Sequence, residues 1–256
     1  MDQILETKRI EIQISVQKVS YAAIYRRAKA VTRRVVSFSD ALHTSQPSII
    51  AEFKRKSPSK GFINEAAEPA VVVRGYTEKG AAAISVLTDR EYFGGFPDDL
   101  LMAREVTPLP LLRKDFFIDP YQICEARIAG ADVILLIAAA MRREECLFLA
   151  EFARELGLEV LLEIHNEPEL EYINPFVNVV GVNNRNLTTF VTNTAVSEKL
   201  TAMIPEQYLK ISESCLSSPD TVKRLYNMGY NGFLMGGHFM KDADPASALE
   251  QFLSWL

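Results

Sequence analysis

The chain has 256 residues, close to half of them hydrophobic, and a formal net charge of −5 at neutral pH. That is enough apolar material for a sizeable core, and it leaves no electrostatic footprint for nucleic acid. No apolar run reaches the roughly 18 residues a membrane span needs, and three scattered cysteines, Cys124, Cys146 and Cys215, suggest neither a disulfide framework nor a zinc site, so a reducing cytoplasm is the expected setting.

Residues 1–47 read mostly as helix. Ile4, Ile10, Ile12 and Ile14, then positions 21–36, mix apolar residues with many charges, and Met1 to Ala30 carries no signal-peptide apolar core. From position 49 a rhythm sets in. Short apolar runs at 49–53, 83–87, 109–113, 133–137, 160–164, 179–182, 209–211 and 232–235 alternate with helical patterns at 69–79, 98–106, 120–129, 142–156, 167–172, 196–203, 220–228 and 245–255. Glycines at 80, 130, 157 and 229 follow helical patterns, where they read as C-caps.

Continuous apolar runs separated by helices imply parallel strands covered on both faces. About eight such units predict an α/β fold, a (β/α)8 TIM barrel, spanning 1–256 as a single domain with 1–47 as a helical N-terminal extension. A doubly wound open sheet is the alternative, but no Gly-x-Gly-x-x-Gly follows the first strand.

Reactive groups in such a barrel sit at the C-terminal ends of the strands. The first strand ends in Glu52 and Lys54, which share a face because residues two apart point the same way. Two opposite charges in an apolar run fit either a structural ion pair or a reaction site. The loop that follows, Ser57-Pro58-Ser59-Lys60-Gly61, has the hydroxyls and glycine that suit a phosphate. The third strand leads to Arg113-Lys114-Asp115, the fifth to Glu163-Ile164-His165, the sixth to Asn183-Asn184-Arg185, the seventh to Glu213-Ser214 and the eighth to Gly236-Gly237. Polar groups therefore gather at one rim from six directions.

These segments resemble the indole-3-glycerol-phosphate synthase family. The resemblance is carried by Ile50-Ala51-Glu52-Phe53-Lys54-Arg55-Lys56-Ser57-Pro58-Ser59-Lys60-Gly61, Leu112-Arg113-Lys114-Asp115-Phe116, Leu162-Glu163-Ile164-His165, Gly181-Val182-Asn183-Asn184-Arg185-Asn186-Leu187 and Ser212-Glu213-Ser214, in one register from about Ile49 to the C-terminus. It implies a carboxy-lyase of tryptophan biosynthesis that closes the ring of 1-(2-carboxyphenylamino)-1-deoxyribulose 5-phosphate, with loss of carbon dioxide and water. It implies no cofactor and no metal, a phosphorylated small-molecule substrate, no nucleic acid or membrane partner, a monomer or weak homo-oligomer, and contact with other tryptophan-pathway enzymes as a further expectation.

The resemblance also implies roles. Lys114 matches the general acid for the carbonyl oxygen, a task that suits an ammonium whose pKa is lowered; the plain alternative is a rim lysine paired to Asp115. Glu163 matches the general base, where an apolar rim would raise its pKa; the alternative is a carboxylate that only holds a lysine in place. Lys54 matches a binder of the substrate carboxylate, and Glu52 a residue that orients the lysines and ribulose hydroxyls. Asn183 and Arg185 match substrate-positioning residues, and Glu213 and Ser214 contacts to ring and hydroxyls. Ser57, Cys215, Gly236 and Gly237 match the phosphate cradle, and Phe93, Phe116 and Leu135 the wall of an aromatic pocket. Cys215 stands where the family usually has glycine, a strain if the loop needs positive φ. His238 follows Gly236-Gly237 where relatives differ. Asn184, His43 and His165 read as structural, Cys124 and Cys146 as buried small residues. Rival readings are phosphoribosylanthranilate isomerase, which needs a Cys/Asp pair not seen at the first strand, a barrel that only binds, and an interaction protein built on the N-terminal helix.

Overall fold

The short runs of Val, Ile and Leu do form strands, and these close into a parallel barrel. The computed structural model describes residues 1–44, 46–185 and 193–256. The barrel strands are β1 (Ser48–Phe53), β2 (Ala83–Leu87), β3 (Leu111–Lys114), β4 (Val133–Ile137), β5 (Glu159–Ile164), β6 (Val179–Asn183), β7 (Leu209–Glu213) and β8 (Gly232–Met235). Each pairs with the next, and β8 pairs with β1. The fold is a TIM barrel.

Around it lie α4 (Pro69–Glu78), α6 (Pro97–Val106), α7 (Pro120–Ile128), α8 (Arg143–Glu155), α9 (Ala195–Leu200), α10 (Pro219–Asn227) and α11 (Pro245–Leu253), with the one-turn α5 (Arg90–Phe93) after β2. Helices α4, α6, α7, α10 and α11 each place a proline in the first turn, where its missing N–H would have had no partner. The glycines at 80, 130, 157 and 229 take positive φ just beyond helices, as their spacing predicts.

Before the barrel come α1 (Asp2–Lys18), α2 (Tyr21–Lys29) and α3 (Phe38–Leu42). Helix α1 buries Leu5, Lys8 and Ile12, one stripe at helical spacing. Helix α3 turns Phe38 and Leu42 inward; both are fully enclosed, and burial of each contributes about 1.5–3 kcal/mol. Glu159, at the start of β5, accepts from Phe38 N and Ser39 N at 3.1 and 2.9 Å, seating α3 against the N-terminal end of the barrel.

Several boundaries differ from the sequence reading. β3 begins at Leu111 rather than 109, because Pro110 has no N–H to give a ladder, and it runs on to include Lys114. β6 and β7 likewise extend through Asn183 and Glu213. Residues 167–172, Glu167–Tyr172, form a 3-10 helix rather than an α-helix. Residues 31–37 of the extension are not helical; β-branched Val31, Thr32, Val35 and Val36 weaken helix there. The hydroxyl-rich loop after β1 contains a small antiparallel hairpin, Lys56–Ser57 against Gly61–Phe62, turning at Gly61 with φ 66°.

Candidate active site

Side chains two apart on a strand share a face, and six of the eight barrel strands send an apolar residue inward low in the barrel and a polar residue or a glycine above it, whereas β4 stays apolar through Val133, Leu135 and Ile137. Ile50 is followed by Glu52 and Lys54, Leu112 by Lys114, Leu161 by Glu163, Val179 by Gly181 and Asn183, Ile211 by Glu213, and Leu234 by Gly236. The lower set belongs to one buried cluster inside the barrel. Of the upper set, Glu52, Lys54, Lys114, Glu163, Asn183, Glu213 and Gly236 line a cavity of about 640 Å³ at the C-terminal mouth. All the candidate site residues named from the sequence line this cavity: Glu52, Lys54, Ser57, Phe93, Lys114, Phe116, Leu135, Glu163, Asn183, Arg185, Glu213, Ser214, Cys215, Gly236 and Gly237.

Two glycines make room for the carboxylates. A Cβ on Gly236 would lie 2.4 Å from Glu52 Oε1, and one on Gly181 would lie 2.4 Å from Glu213 Oε1, so the sheet can hold both acids in its interior only where no side chain competes.

Lys114 is the hub. Its Nζ donates to Glu213 Oε2 at 2.5 Å and stands 3.4 Å from Glu163 Oε2. Burial alone would lower its pKa, but Glu213, Glu163 and Glu52 outweigh that and hold it well above the ordinary lysine range. This corrects the expectation of a lowered lysine: the carboxylates are too many and too close. It also removes the alternative partner, because Asp115 turns away to Lys8 and Arg113, each at 3.0 Å.

The two acids around Lys114 divide unevenly. Burial pushes Glu163 up, yet Lys114, the neighbouring His165 and a hydrogen bond from Asn183 overcome it and hold the carboxyl well below its usual range. Glu213 has one cation and two acidic neighbours. Burial, with Glu163 and Glu52 adding to it, carries it up to about 7 against the pull of Lys114. The acid with a raised pKa is therefore Glu213, not Glu163 as the sequence reading expected. Lys54 pairs with Glu52 across the same mouth.

One wall is apolar. The rings of Phe93 and Phe116 lie with centroids 6.1 Å apart, and Leu135 and Ile137 continue the surface. Met1, just ahead of α1, and Ile4 of α1 complete it, a contribution the sequence reading did not find. The sequence reading takes this segment as helix but not its buried stripe: of the apolar positions it names, Ile10 and Ile14 are exposed, and nothing local says where the helix lands. The opposite side is a cradle of small groups and backbone: Ser57, Ser214, Cys215, Gly236 and Gly237, with His238 and Lys241 behind them. Ser214 and Cys215 both have positive φ, 66° and 59°. Arg185 reaches from the end of β6 to donate to Ser59 Oγ at 3.1 Å, and its own N–H donates to Asn183 Oδ1 at 3.0 Å.

Other residues fall outside the cavity. Asn184 is buried behind β6 and donates to Ser212 Oγ at 2.9 Å. His43 is exposed, and Cys124 and Cys146 are buried. Asn186 and Leu187 of the sixth-strand motif lie outside the described residues. His165 is not remote from the site: its Nε2 lies 3.1 Å from Glu163 Oε1.

The whole chain can be set against known proteins. A family model described as indole-3-glycerol phosphate synthase matches residues 1–252. The chain is similar to the indole-3-glycerol phosphate synthase of Bacteroides thetaiotaomicron, 46% identical over 253 residues, covering 99% of this chain and 97% of that protein. It is also similar to the protein of the same name from Aliarcobacter butzleri, 38% identical over 260 residues, with 100% and 99% covered. Among solved structures it resembles thiamine phosphate pyrophosphorylase from Pyrococcus furiosus, with a TM-score of 0.61 at 15% identity over 86% of this chain and 97% of the other, a likeness of fold alone. By the family match and these near full-length identities, the chain belongs to the indole-3-glycerol phosphate synthase family.

Proposed function

We propose that this cavity converts 1-(2-carboxyphenylamino)-1-deoxyribulose 5-phosphate to indole-3-glycerol phosphate, the family's step in tryptophan biosynthesis, with the residues named here in the following roles. The observation that carries the reading is the placement of one ammonium, Lys114, between Glu163 and Glu213 at the mouth of an apolar barrel, with an aromatic wall on one side and a glycine and hydroxyl cradle on the other.

The anthranilate ring lies against Phe93, Phe116 and Leu135, and the phosphate lies in the cradle of Ser57, Cys215, Gly236 and Gly237. Lys54 binds the substrate carboxylate, Glu52 holds Lys54 and the ribulose hydroxyls, and Asn183, Arg185, Glu213 and Ser214 fix the sugar chain and ring. The ring carbon that bears the carboxylate attacks the C2 ketone, and Lys114 gives its proton to the carbonyl oxygen. Carbon dioxide then leaves with its bonding electrons passing back into the ring system. In the last stage Lys54, released once carbon dioxide has left, gives a proton to the C2 hydroxyl, which departs as water, while Glu163 takes the proton from C1 of the former ribulose chain; solvent returns the one proton consumed overall, and the indole is complete.

The electrostatics give this order a reason. While Lys114 is charged, it helps hold the Glu163 carboxyl low, so Glu163 is a weak base. Once Lys114 has donated its proton, that restraint is gone and Glu163 becomes the stronger base the dehydration needs.

The test is incubation of the purified protein with the carboxyphenylamino-deoxyribulose phosphate while indole fluorescence is followed. Appearance of indole-3-glycerol phosphate supports the reading, and none at any pH between 6 and 9 overturns it. Kinship with bacterial biosynthetic enzymes supports a cytoplasmic setting as part of the same proposal; among the described residues no helix is long and apolar enough to cross a membrane.

A further inference from the structure

His165 lies just beyond β5, one residue past Ile164, and its ring is held between two carboxylates. Nε2 is 3.1 Å from Glu163 Oε1, and Nδ1 is 3.1 Å from Glu169 Oε2, on the 3-10 helix Glu167–Tyr172. The His165 backbone N–H also donates to Glu169 Oε2, at 2.7 Å. Glu169 is fixed in turn: Asn166 Nδ2 donates to its other oxygen at 2.6 Å. The His165 side chain is only 10% exposed.

A neutral imidazole has one N–H and one lone pair. Facing an ionised carboxylate at each nitrogen, it would set its lone pair against an oxygen that can only accept. The doubly protonated ring gives an N–H to Glu169 and sets its positive charge 3.1 Å from Glu163 Oε1, an ion-pair contact without the alignment of a hydrogen bond. We propose that His165 is a positioning residue for Glu163: its imidazolium, anchored by Glu169 on one side, fixes the Glu163 carboxylate on the other so that its second oxygen faces Lys114. The inference rests on the reading of Glu163 as the base.

Burial would lower the pKa of His165, but Glu163 and Glu169 together bring it up to about 10. The charged groups facing it are Glu163 from β5 and Glu169 from the 3-10 helix, with Lys114 of β3 beyond Glu163. Lys199 of α9 is paired with Glu167 at 3.0 Å on the surface. The ring therefore stays charged across the neutral range, and Glu163 keeps its orientation.

Glu169→Gln removes the anchoring charge and keeps its shape. Loss of an opposite charge at this distance lowers a neighbouring pKa by about one to three pH units. The variant should therefore show a fall in kcat/KM between about pH 7 and 9 that the natural enzyme lacks. His165→Asn should lower kcat roughly tenfold at neutral pH through lost alignment, with KM little changed. Nitrogen chemical shifts of the three histidines in the unsubstituted protein give a reading that needs no variant to fold. A His165 ring doubly protonated at pH 8 supports the proposal; a ring that titrates near 6.5 overturns it, as does a Glu169→Gln profile identical to the natural one. Glu163→Gln separates the two failures. If it stays active, the reading of Glu163 as base fails. If it is inactive while Glu169→Gln keeps the natural profile, only the role of His165 fails.

Discussion

The ammonium of Lys8, on the first helix, lies 3.0 Å from the carboxylate of Asp115, the residue that follows Lys114. The same ammonium is 2.7 Å from Asp89, which lies two residues past β2 and caps α5, and 2.9 Å from Glu11. Lys8 is thus the point at which the N-terminal extension grips the ends of two barrel strands, and it does so beside Lys114. Lys8→Met leaves Asp89 and Asp115 buried without this cation, a loss of about 3–5 kcal/mol. The sign with pH follows from Asp115. Burial pushes its carboxyl up from 3.8, but Lys8 and Arg113 outweigh burial and bring it to about 2. Its contribution is full above pH 4 and fades as pH falls toward 2. Urea denaturation of both proteins should show a stability gap that is wide at neutral pH and narrower at pH 3; a gap that does not change would count against the pairing.

Lys114→Ala and Glu163→Gln should leave the circular dichroism spectrum unchanged and lower turnover by roughly 10²–10⁴. Each changes one of the two proton carriers proposed above, in a mouth whose walls are set by the sheet. Activity near that of the natural enzyme in either purified variant would remove that residue from its role.

Much of this arrangement could be read before any coordinates. A parallel strand covered on both faces is a continuous apolar run, and the point where such a run turns polar is the rim of the barrel. Glu52, Lys54, Lys114, Glu163, Asn183 and Glu213 were found on that logic, and they line the same cavity. What the order of residues does not carry is how charges distribute across the barrel. Lys114 and Glu213 are 99 positions apart, and only their contact shows that two acids share one ammonium. The expected pKa directions of Lys114 and Glu163 came out reversed for that reason. Likewise, the landing site of α1 depends on the pairing of Lys8 with acids far along the chain, and His165 acquires its neighbours only once the 3-10 helix folds back.

The Glu213 carboxyl, up to about 7 in the folded protein against an ordinary 4.5, makes the stability fall as pH rises. The folded state favours the protonated form, so the contribution is present below about pH 4.5 and is lost as pH climbs through 7. Glu213→Gln imitates the protonated acid and removes this dependence. Relative to the natural chain, the variant should gain stability from pH 5 to 8, by about 1 kcal/mol or more at the upper end. Melting temperatures of the two proteins that move in parallel across that range would show that Glu213 ionises normally.

Gly236→Ala probes the fit between the eighth strand and Glu52. The new methyl would lie 2.4 Å from Glu52 Oε1 and 2.8 Å from Glu52 Cβ, too close for either to stay. Overpacking of this kind costs about 1–3 kcal/mol, and here it also displaces the partner of Lys54. We expect a folded but less stable protein whose KM rises more than its kcat falls. An unchanged KM would mean that Glu52 does not order the substrate-binding side of the mouth.

Cys215 asks the opposite question, because it is a residue with a side chain in a conformation that favours glycine. Its φ of 59° follows a Ser214 φ of 66°, two left-handed residues in succession. Each costs roughly 1–2 kcal/mol without glycine. Cys215→Gly relieves one of them, while the greater freedom of glycine in the unfolded chain takes back about 0.4–1 kcal/mol, so the net gain in stability is about 1 kcal/mol or less. The larger effect belongs to binding. Without Cβ the loop backbone can approach an anion more closely, so its N–H groups meet a phosphate with less rearrangement. The variant should therefore have a KM several-fold below that of the natural enzyme at similar kcat, and inorganic phosphate should inhibit it at correspondingly lower concentration. A KM that is unchanged or higher would show that the left-handed turn at 215 does not limit how closely this cradle closes on its anion.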